Sequence, residues 1–197
     1  MAIMLAERDQ IIAFLSRHIS GERLKHCERV EKAALELAGK FGVDPVKVTA
    51  AALLHDVCRE CSPDLLLQLA FKFDILIDDI QRAEPLLLHG LVGAALVREE
   101  LGIRDESVLE AIRYHITGAP GIGPLAQLIF VGDFIEPGRT FEASRILREK
   151  APGWEPEQIL MYVYNQTLRY VIERDYLAHP DTVMGRNELI RKGVKTH

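Results

Sequence analysis

The sequence has few cysteines and no long hydrophobic run. Its three cysteines, Cys27, Cys58 and Cys61, are too few and too odd in number for the disulfide framework of a secreted protein. No apolar run approaches the roughly 18 residues that span a bilayer, and charged residues 7–9 stand where a signal peptide would be apolar. We therefore expect a cytoplasmic protein that has no membrane partner.

Positive charge is not in excess either. Lys and Arg total 24 and Asp and Glu total 29, so the formal net charge is −5 with histidine counted as neutral. This balance excludes a strongly basic nucleic-acid binder, and no DNA partner is expected. Hydrophobic residues make up 48% of the 197 positions, which is enough for a large core in a single domain.

Strand signals are scarce, whereas apolar residues recur at helical spacing almost throughout. Capping residues, proline and glycine divide this pattern; Asp44-Pro45 predicts a helix start and Gly102 predicts a helix end. We predict an all-α fold with helices at about residues 5–18, 22–41, 45–59, 65–71, 75–82, 87–101, 106–115, 124–135, 141–150, 156–177 and after 181.

Four of the seven histidines lie at or inside separate predicted helices among apolar neighbours: His26, His55, His89 and His115. One histidine in such a place is more often a packed or exposed residue than a ligand. Asp56 follows His55 directly, at the end of an otherwise apolar helix. Because burying an unpaired carboxylate costs several kcal/mol, we expect Asp56 to be paired, hydrogen-bonded or bound to a metal.

Asp133 interrupts the apolar stretch 128–135 in the same way, although it could belong to an exposed polar stripe shared with Glu136. The four histidines, Asp56 and Asp133 form a set of nitrogen and oxygen ligands without a thiolate, which suits a divalent transition metal such as iron, manganese or zinc. Six ligands exceed the needs of one tetrahedral zinc. Two ions that share one carboxylate, best supplied by Asp56, are therefore expected.

Other features allow two interpretations. Arg59 falls one turn after His55 and Arg139 follows the helix of Asp133, so both could bind phosphate beside a metal pair, or both could be solvated surface charges. Gly90 permits close approach of a helix or ligand, or tight packing. The spacing Cys58-x-x-Cys61 invites a zinc or redox interpretation, but too few ligands and the lack of a βαβ context disfavour both.

The order of these residues resembles the HD-domain superfamily of metal-dependent phosphohydrolases, and more narrowly the bacterial YqeK family. The similarity covers most of the chain and includes segments 54–56, 88–94, 114–118, 132–139 and 179–187, of which 132–139 is the most specific. Two positions depart from the family pattern. Arg59 stands where the family has a lysine after the HD pair, and Gly132-Asp133 replaces the usual Ala-Asp.

The resemblance implies one HD domain over residues 1–197, with a metal-bearing core at about 22–140 and C-terminal helices at about 141–197 that complete the fold and the nucleotide site. It implies a symmetrical bis(5'-nucleosyl)-tetraphosphatase, which cleaves the small dinucleotide diadenosine tetraphosphate into two ADP by attack of a metal-bound hydroxide. The implied cofactor is a divalent metal, one or two ions of iron, with manganese or another transition metal as the alternative.

The resemblance also assigns roles to residues. The implied metal ligands are His26, His55, Asp56, His89, His115 and Asp133. The implied catalytic residues are Asp56, Arg59, His89 and His115. The implied substrate contacts are His26, Arg59, His89, His115, Thr117, Asp133, Arg139, Asp181 and Thr182.

Two functional alternatives remain at this point: an HD-type hydrolase of another nucleotide, or a non-catalytic nucleotide-binding regulatory protein. A homodimer is a further expectation, because the apolar residues 65–67 could belong either to the core or to a dimer surface.

Overall fold

The computed structural model of the protein describes residues 7–195, and the regular structure in that range is entirely helical. Short 3-10 helices at Pro85–Leu88 and Ala151–Gly153 accompany the α-helices. These are α1 (Arg8–Leu15), α2 (Gly21–Phe41), α3 (Pro45–Leu54), α4 (Pro63–Lys72), α5 (Asp79–Ala83), α6 (His89–Glu100), α7 (Glu106–Tyr114), α8 (Pro124–Ile135), α9 (Glu142–Lys150), α10 (Pro156–Glu173) and α11 (Pro180–Arg191). The predicted all-α class is confirmed.

Side-chain caps set several of the helix starts. The Ser20 hydroxyl accepts a hydrogen bond from the backbone of Arg23 at the start of α2, and the Asp44 carboxylate accepts one from the backbone of Val46 at the start of α3. Asp105 caps α7 in the same way. Because these signals are local, the sequence predicted most helix starts within two residues.

The largest difference that concerns the site is the end of α3, which was predicted near residue 59 and lies at Leu54. The backbone N–H groups of Val57, Arg59 and Cys61 donate to carbonyls three residues earlier, so this segment is a series of tight turns. The predicted extension of the helix to Arg59 is therefore wrong.

Other boundaries differ for local reasons. Asp78 and Gln81 form a capping box, so α5 begins at Asp79 and the predicted start at residue 75 is wrong. The helix predicted to end at residue 177 ends at Glu173, and Asp175, two residues later, has a positive φ of 53°. The predicted start of the first helix at residue 5 lies outside the described residues.

Five helices form the centre of the molecule. α2 packs against α3 and α8, and α7 packs against α3, α6 and α8. Fully buried side chains fill the space between them, among them Val30, Leu53, Ile112 and Ile129. α1 covers α3, α10 lies on α8 and α9, and α11 lies on α10. None of the helices within residues 7–195 is long and apolar enough to cross a membrane.

Candidate metal centre

Six side chains of the central helices converge in one place. One comes from the second turn of α2, two directly follow α3, one begins α6, one directly follows α7 and one lies in the last turn of α8. Five of them are at most 6% exposed, and the side chain of the sixth, Asp133, is 23% exposed. We call this group the Asp56 cluster; it consists of His26, His55, Asp56, His89, His115 and Asp133.

Asp56 lies between two pairs of histidines. Its Oδ2 atom is 3.5 Å from His26 Nε2 and 3.4 Å from His55 Nε2. Its Oδ1 atom is 3.1 Å from His89 Nε2 and 3.4 Å from His115 Nε2. Within each group of two histidines and Asp56, the possible ligand atoms all lie within 4.8 Å of one another. One carboxylate is thus shared by two triads of possible metal ligands.

Each of the four imidazole rings is oriented by a hydrogen bond at Nδ1. The Nδ1 atoms of His55, His89 and His115 lie 2.7, 2.5 and 2.8 Å from the carbonyl oxygen three residues earlier. His26 Nδ1 lies 3.2 Å from Glu136 Oε1. Because these partners are acceptors, each Nδ1 carries a proton, and in the neutral ring each Nε2 presents a lone pair to the cluster.

These lone pairs fit a cation. Within the described residues, His26 Nε2 and His55 Nε2 have no hydrogen-bond partner of acceptable geometry. His89 Nε2 lies 3.1 Å from His115 Nε2, so two lone pairs face each other. Buried polar atoms normally have partners, and imidazole with carboxylate is a donor set that divalent transition metals accept. The cluster is therefore suited to hold divalent metal ions.

Burial and charge set the protonation states of the cluster. Burial lowers the pKa of His115 to about 4, and the nearby His55 and His89 act in the same direction, so the His115 ring is neutral near pH 7. Burial by itself raises the pKa of Asp56, but the neighbouring His55, His115 and His89 outweigh burial and hold that pKa well below its usual range, so Asp56 is ionised. Neutral imidazole and ionised carboxylate are the forms that bind metal.

The arginine beside the shared carboxylate was not predicted from the sequence. Arg23 Nη1 lies 3.0 Å from Asp56 Oδ2. Arg23 precedes His26 by three residues on α2, and that spacing was the signal that could have identified it. The side chain of Arg59 makes no hydrogen bond or ion pair with any residue from 7 to 195. Arg139 lies at the cluster as expected, with Nη2 2.6 Å from Asp133 Oδ1.

Glu136 is the second residue whose place was missed, because it was considered only as part of an exposed stripe. It is 2% exposed. Its carboxylate accepts hydrogen bonds from Arg29 Nε at 2.6 Å and from the backbone of Gly138 at 2.6 Å, besides the contact with His26. Glu136, three residues after Asp133, therefore contacts the His26 ring on the side opposite the cluster and helps to orient it.

Two glycines allow the helices of the cluster to approach closely. A Cβ atom on Gly90 would lie 2.7 Å from the carbonyl oxygen of Arg113 and 2.8 Å from that of Ile112, where α6 meets the end of α7. A Cβ atom on Gly132 would lie 3.2 Å from the Cβ atom of Ala34 on α2. Gly132, next to Asp133, therefore allows α8 to pack closely against α2.

The three remaining predicted substrate contacts lie in the loop after α7 and at the start of α11. Thr117 belongs to the loop after α7, and Asp181 and Thr182 lie in the first turn of α11. α11 is held against that loop, because the backbone N–H of Gly121 donates to Glu188 Oε2 at 2.6 Å. Within residues 7–195, none of the three makes a hydrogen bond or ion pair with the Asp56 cluster.

Comparison with known proteins agrees with this geometry. Residues 23–152 match the HD domain model. A symmetrical bis(5'-nucleosyl)-tetraphosphatase of Bacillus subtilis (strain 168) is 32% identical over 93% of this chain and 97% of that protein. The chain belongs to the YqeK family of HD-domain proteins.

Further similarities agree with that assignment. A symmetrical bis(5'-nucleosyl)-tetraphosphatase of Staphylococcus aureus (strain NCTC 8325 / PS 47) is 33% identical over 82% of this chain and 84% of that protein. A crystal structure from Clostridium acetobutylicum, named as a "predicted HD superfamily hydrolase involved in NAD metabolism", has a TM-score of 0.90. It is 31% identical, and the match covers 96% of this chain and 100% of that one. The HD pair of this family member is His55-Asp56, in the middle of the Asp56 cluster.

Proposed function

We propose that the protein is a symmetrical bis(5'-nucleosyl)-tetraphosphatase that hydrolyses diadenosine tetraphosphate to two ADP. The observation that carries the proposal is the carboxylate of Asp56, shared by two histidine pairs. The sequence supports the proposal as well, because 93% of this chain aligns at 32% identity with the symmetrical bis(5'-nucleosyl)-tetraphosphatase of Bacillus subtilis. The imidazole and carboxylate groups of the Asp56 cluster suit the hydrolysis of a phosphoanhydride by two metal ions.

The six residues of the Asp56 cluster are the proposed metal ligands. In this proposal His26, His55, Asp56 and Asp133 hold one ion, and a second ion is held by His89, His115 and the shared Asp56. We propose iron as the metal because the resemblance to the family implies it; imidazole and carboxylate ligands without a thiolate are compatible with iron, and also with manganese or another transition metal. Divalent ions bound there would lower the pKa of water and polarise the phosphoryl group.

The other proposed roles belong to side chains that contact the substrate. Arg139 is 39% exposed and offers a planar fork of donors beside Asp133, a geometry that matches phosphate oxygens. We propose that the remaining phosphates and one nucleoside contact Arg59 and three residues of the loop after α7 and the first turn of α11, namely Thr117, Asp181 and Thr182. ADP is a good leaving group, so a strong general acid is not required.

The decisive experiment uses protein prepared without oxygen, with its metal content assayed, incubated with diadenosine tetraphosphate. Anion-exchange separation is expected to give ADP as the sole product, and chelation is expected to abolish the reaction. The matched variant Asp56→Asn should keep the helical fold and lose both metal and turnover. ATP plus AMP, or turnover that survives removal of the metal, would contradict the proposal.

If no product forms although metal fills the site, the alternatives become testable with the same protein. Mononucleotides, cyclic dinucleotides and other phosphate esters would be the next substrates. Tight nucleotide binding without turnover would favour the alternative that the protein is a non-catalytic, nucleotide-binding regulator.

A cytoplasmic location and a homodimer complete the proposal. All three cysteines are free, which agrees with a reducing compartment. Of the apolar residues 65–67, Leu66 is fully buried whereas Leu65 is 41% exposed, and the nearby Phe71 and Leu76 are 87% and 95% exposed. Sedimentation equilibrium should show a dimer that Phe71→Ser dissociates; a monomeric wild-type protein would contradict this part of the proposal.

A further inference from the structure

A cavity of about 640 Å³ lies between the end of α8, the segment after it and α10. His115, Asp133 and Arg139 line it on the side of the Asp56 cluster, and Gln166 and Tyr170 line it on the side of α10. Its volume and its mixture of apolar and polar lining are typical of small-molecule sites. The cavity therefore extends from the candidate metal centre to the side chains of α10.

Aromatic rings line this cavity on two sides. Phe134 and Phe141 meet nearly edge to face, with ring centroids 5.1 Å apart. Tyr170 lies on α10, and the guanidinium carbon of Arg174 lies 4.2 Å from its ring centroid. Phe141 and Tyr170 are 44% and 50% exposed. Exposed aromatic rings beside a cavity suit the stacking of a flat ligand.

The polar lining suits a nitrogen heterocycle. The side chains of Gln166 and Thr167 line the cavity and make no hydrogen bond within the part of the chain that the structure describes. A glutamine amide can donate and accept at once, which matches the N6 and N7 atoms of adenine. Three arginines outnumber two carboxylates in the lining, so positive charge prevails where phosphates would approach the cluster: Arg139, Arg169 and Arg174 against Asp133 and Glu173.

We propose that this cavity binds one nucleoside of the dinucleotide substrate. The inference rests on the proposed function, because cleavage in the middle of four phosphates requires a nucleoside on each side of the metal centre. Thr117, Asp181 and Thr182, which are proposed to contact one half, are not part of the cavity lining. The second nucleoside therefore binds in the cavity. Its base stacks against the ring of Tyr170, and the polar edge of the base faces Gln166.

The test measures binding and turnover separately. Binding is measured by calorimetry with a non-hydrolysable diadenosine tetraphosphate that carries a methylene group between the two central phosphates, and turnover is measured with diadenosine tetraphosphate. Tyr170→Ala should weaken analogue binding about tenfold and raise KM by a similar factor, with kcat and metal content unchanged. Ile172→Ala is the matched control, because Ile172 is 68% exposed on the same helix but does not line the cavity.

The possible outcomes separate this inference from the proposed function. Analogue binding and KM that are the same in Tyr170→Ala and the wild type would overturn the inference, even if the wild type produces ADP. Analogue binding that depends on Tyr170 in a protein without turnover would support the inference and contradict the proposed activity. A wild-type protein that neither binds the analogue nor hydrolyses the substrate would overturn both.

Discussion

Arg23 contacts the shared carboxylate of the cluster, with its Nη1 atom 3.0 Å from Asp56 Oδ2. The Asp56 side chain is 5% exposed and that of Arg23 is 28% exposed. The positive charge beside the buried carboxylate therefore comes from α2, and the nearby Arg59 makes no such contact. A charge-assisted hydrogen bond at a buried carboxylate contributes more than an exposed ion pair does.

This contact predicts unequal effects of two arginine substitutions. Arg23→Gln should lower kcat/KM for diadenosine tetraphosphate roughly tenfold to a hundredfold, because hydrogen bonds to charged groups contribute about 1.5–3 kcal/mol. Arg59→Gln should lower it by less than about threefold, as expected for a more peripheral substrate contact. Lys25→Gln, at an exposed position of the same helix, serves as the control. A larger loss in Arg59→Gln than in Arg23→Gln would show that Arg59 moves to the reacting phosphates.

Glu136 is expected to position His26 rather than to touch the substrate. Glu136→Gln weakens the acceptor opposite His26 Nδ1 and leaves the ring less firmly oriented, so metal affinity should fall about tenfold to a hundredfold. The measurement is metal affinity by competition with a chromogenic chelator, which does not depend on turnover. Glu31→Gln is the control, because Glu31 is also buried but pairs with Arg8 away from the cluster. Equal metal affinity in Glu136→Gln and the wild type would contradict the positioning role.

The cluster could be predicted from the sequence because its residues conflict with their surroundings. A carboxylate after an apolar run, such as Asp56 or Asp133, needs a buried partner, and four histidines in similar places supply enough partners. Glu136 was missed because a polar residue three positions after Asp133 also suits an exposed stripe, and periodicity alone does not distinguish a buried face from a solvated one. Arg59 was expected on the cluster face because the pattern gave no signal that α3 ends at Leu54.

Gly90→Ala should disturb the second triad and the stability of the fold together. The added Cβ would lie 2.7 Å from a backbone oxygen that cannot move independently of α7, so α6 must shift. Overpacking of this kind costs about 1–3 kcal/mol of unfolding free energy. The shift should also separate His89 from His115 and reduce the bound metal from two ions towards one. Urea unfolding and metal analysis measure the two effects.

The matched control for that substitution is Gly39→Ala in α2, where a Cβ would meet nothing within 4 Å. Replacing a helical glycine with alanine at an open position should raise the unfolding free energy, by up to about 1 kcal/mol. The two substitutions are thus expected to have opposite signs. If Gly90→Ala were as stabilising as Gly39→Ala, with full metal content, the close approach of α6 and α7 would not limit the site.

Asp105 gives the fold a predictable dependence on pH. It caps α7 and lies 2.8 Å from Lys47 Nζ. Burial acts to raise the pKa of Asp105, but hydrogen bonds from Lys47, Ser107 and the backbone of Val108 lower it from 3.8 to about 2. Because the pKa is lower in the folded state, this carboxylate stabilises the fold above about pH 4, and the contribution is lost as the pH falls towards 2.

Asp105→Asn keeps a residue that caps helices well but removes the charge. It should lower the unfolding free energy by about 1 kcal/mol at pH 7, near the upper end for an ion pair that is partly exposed. The difference from the wild type should shrink below about pH 4, which urea titrations at pH 7 and near pH 3 would measure. Lys47→Gln should cause part of the same loss, and the double variant should lose less than the sum. A difference that is constant from pH 7 to pH 3 would show that the charge of Asp105 does not stabilise the fold.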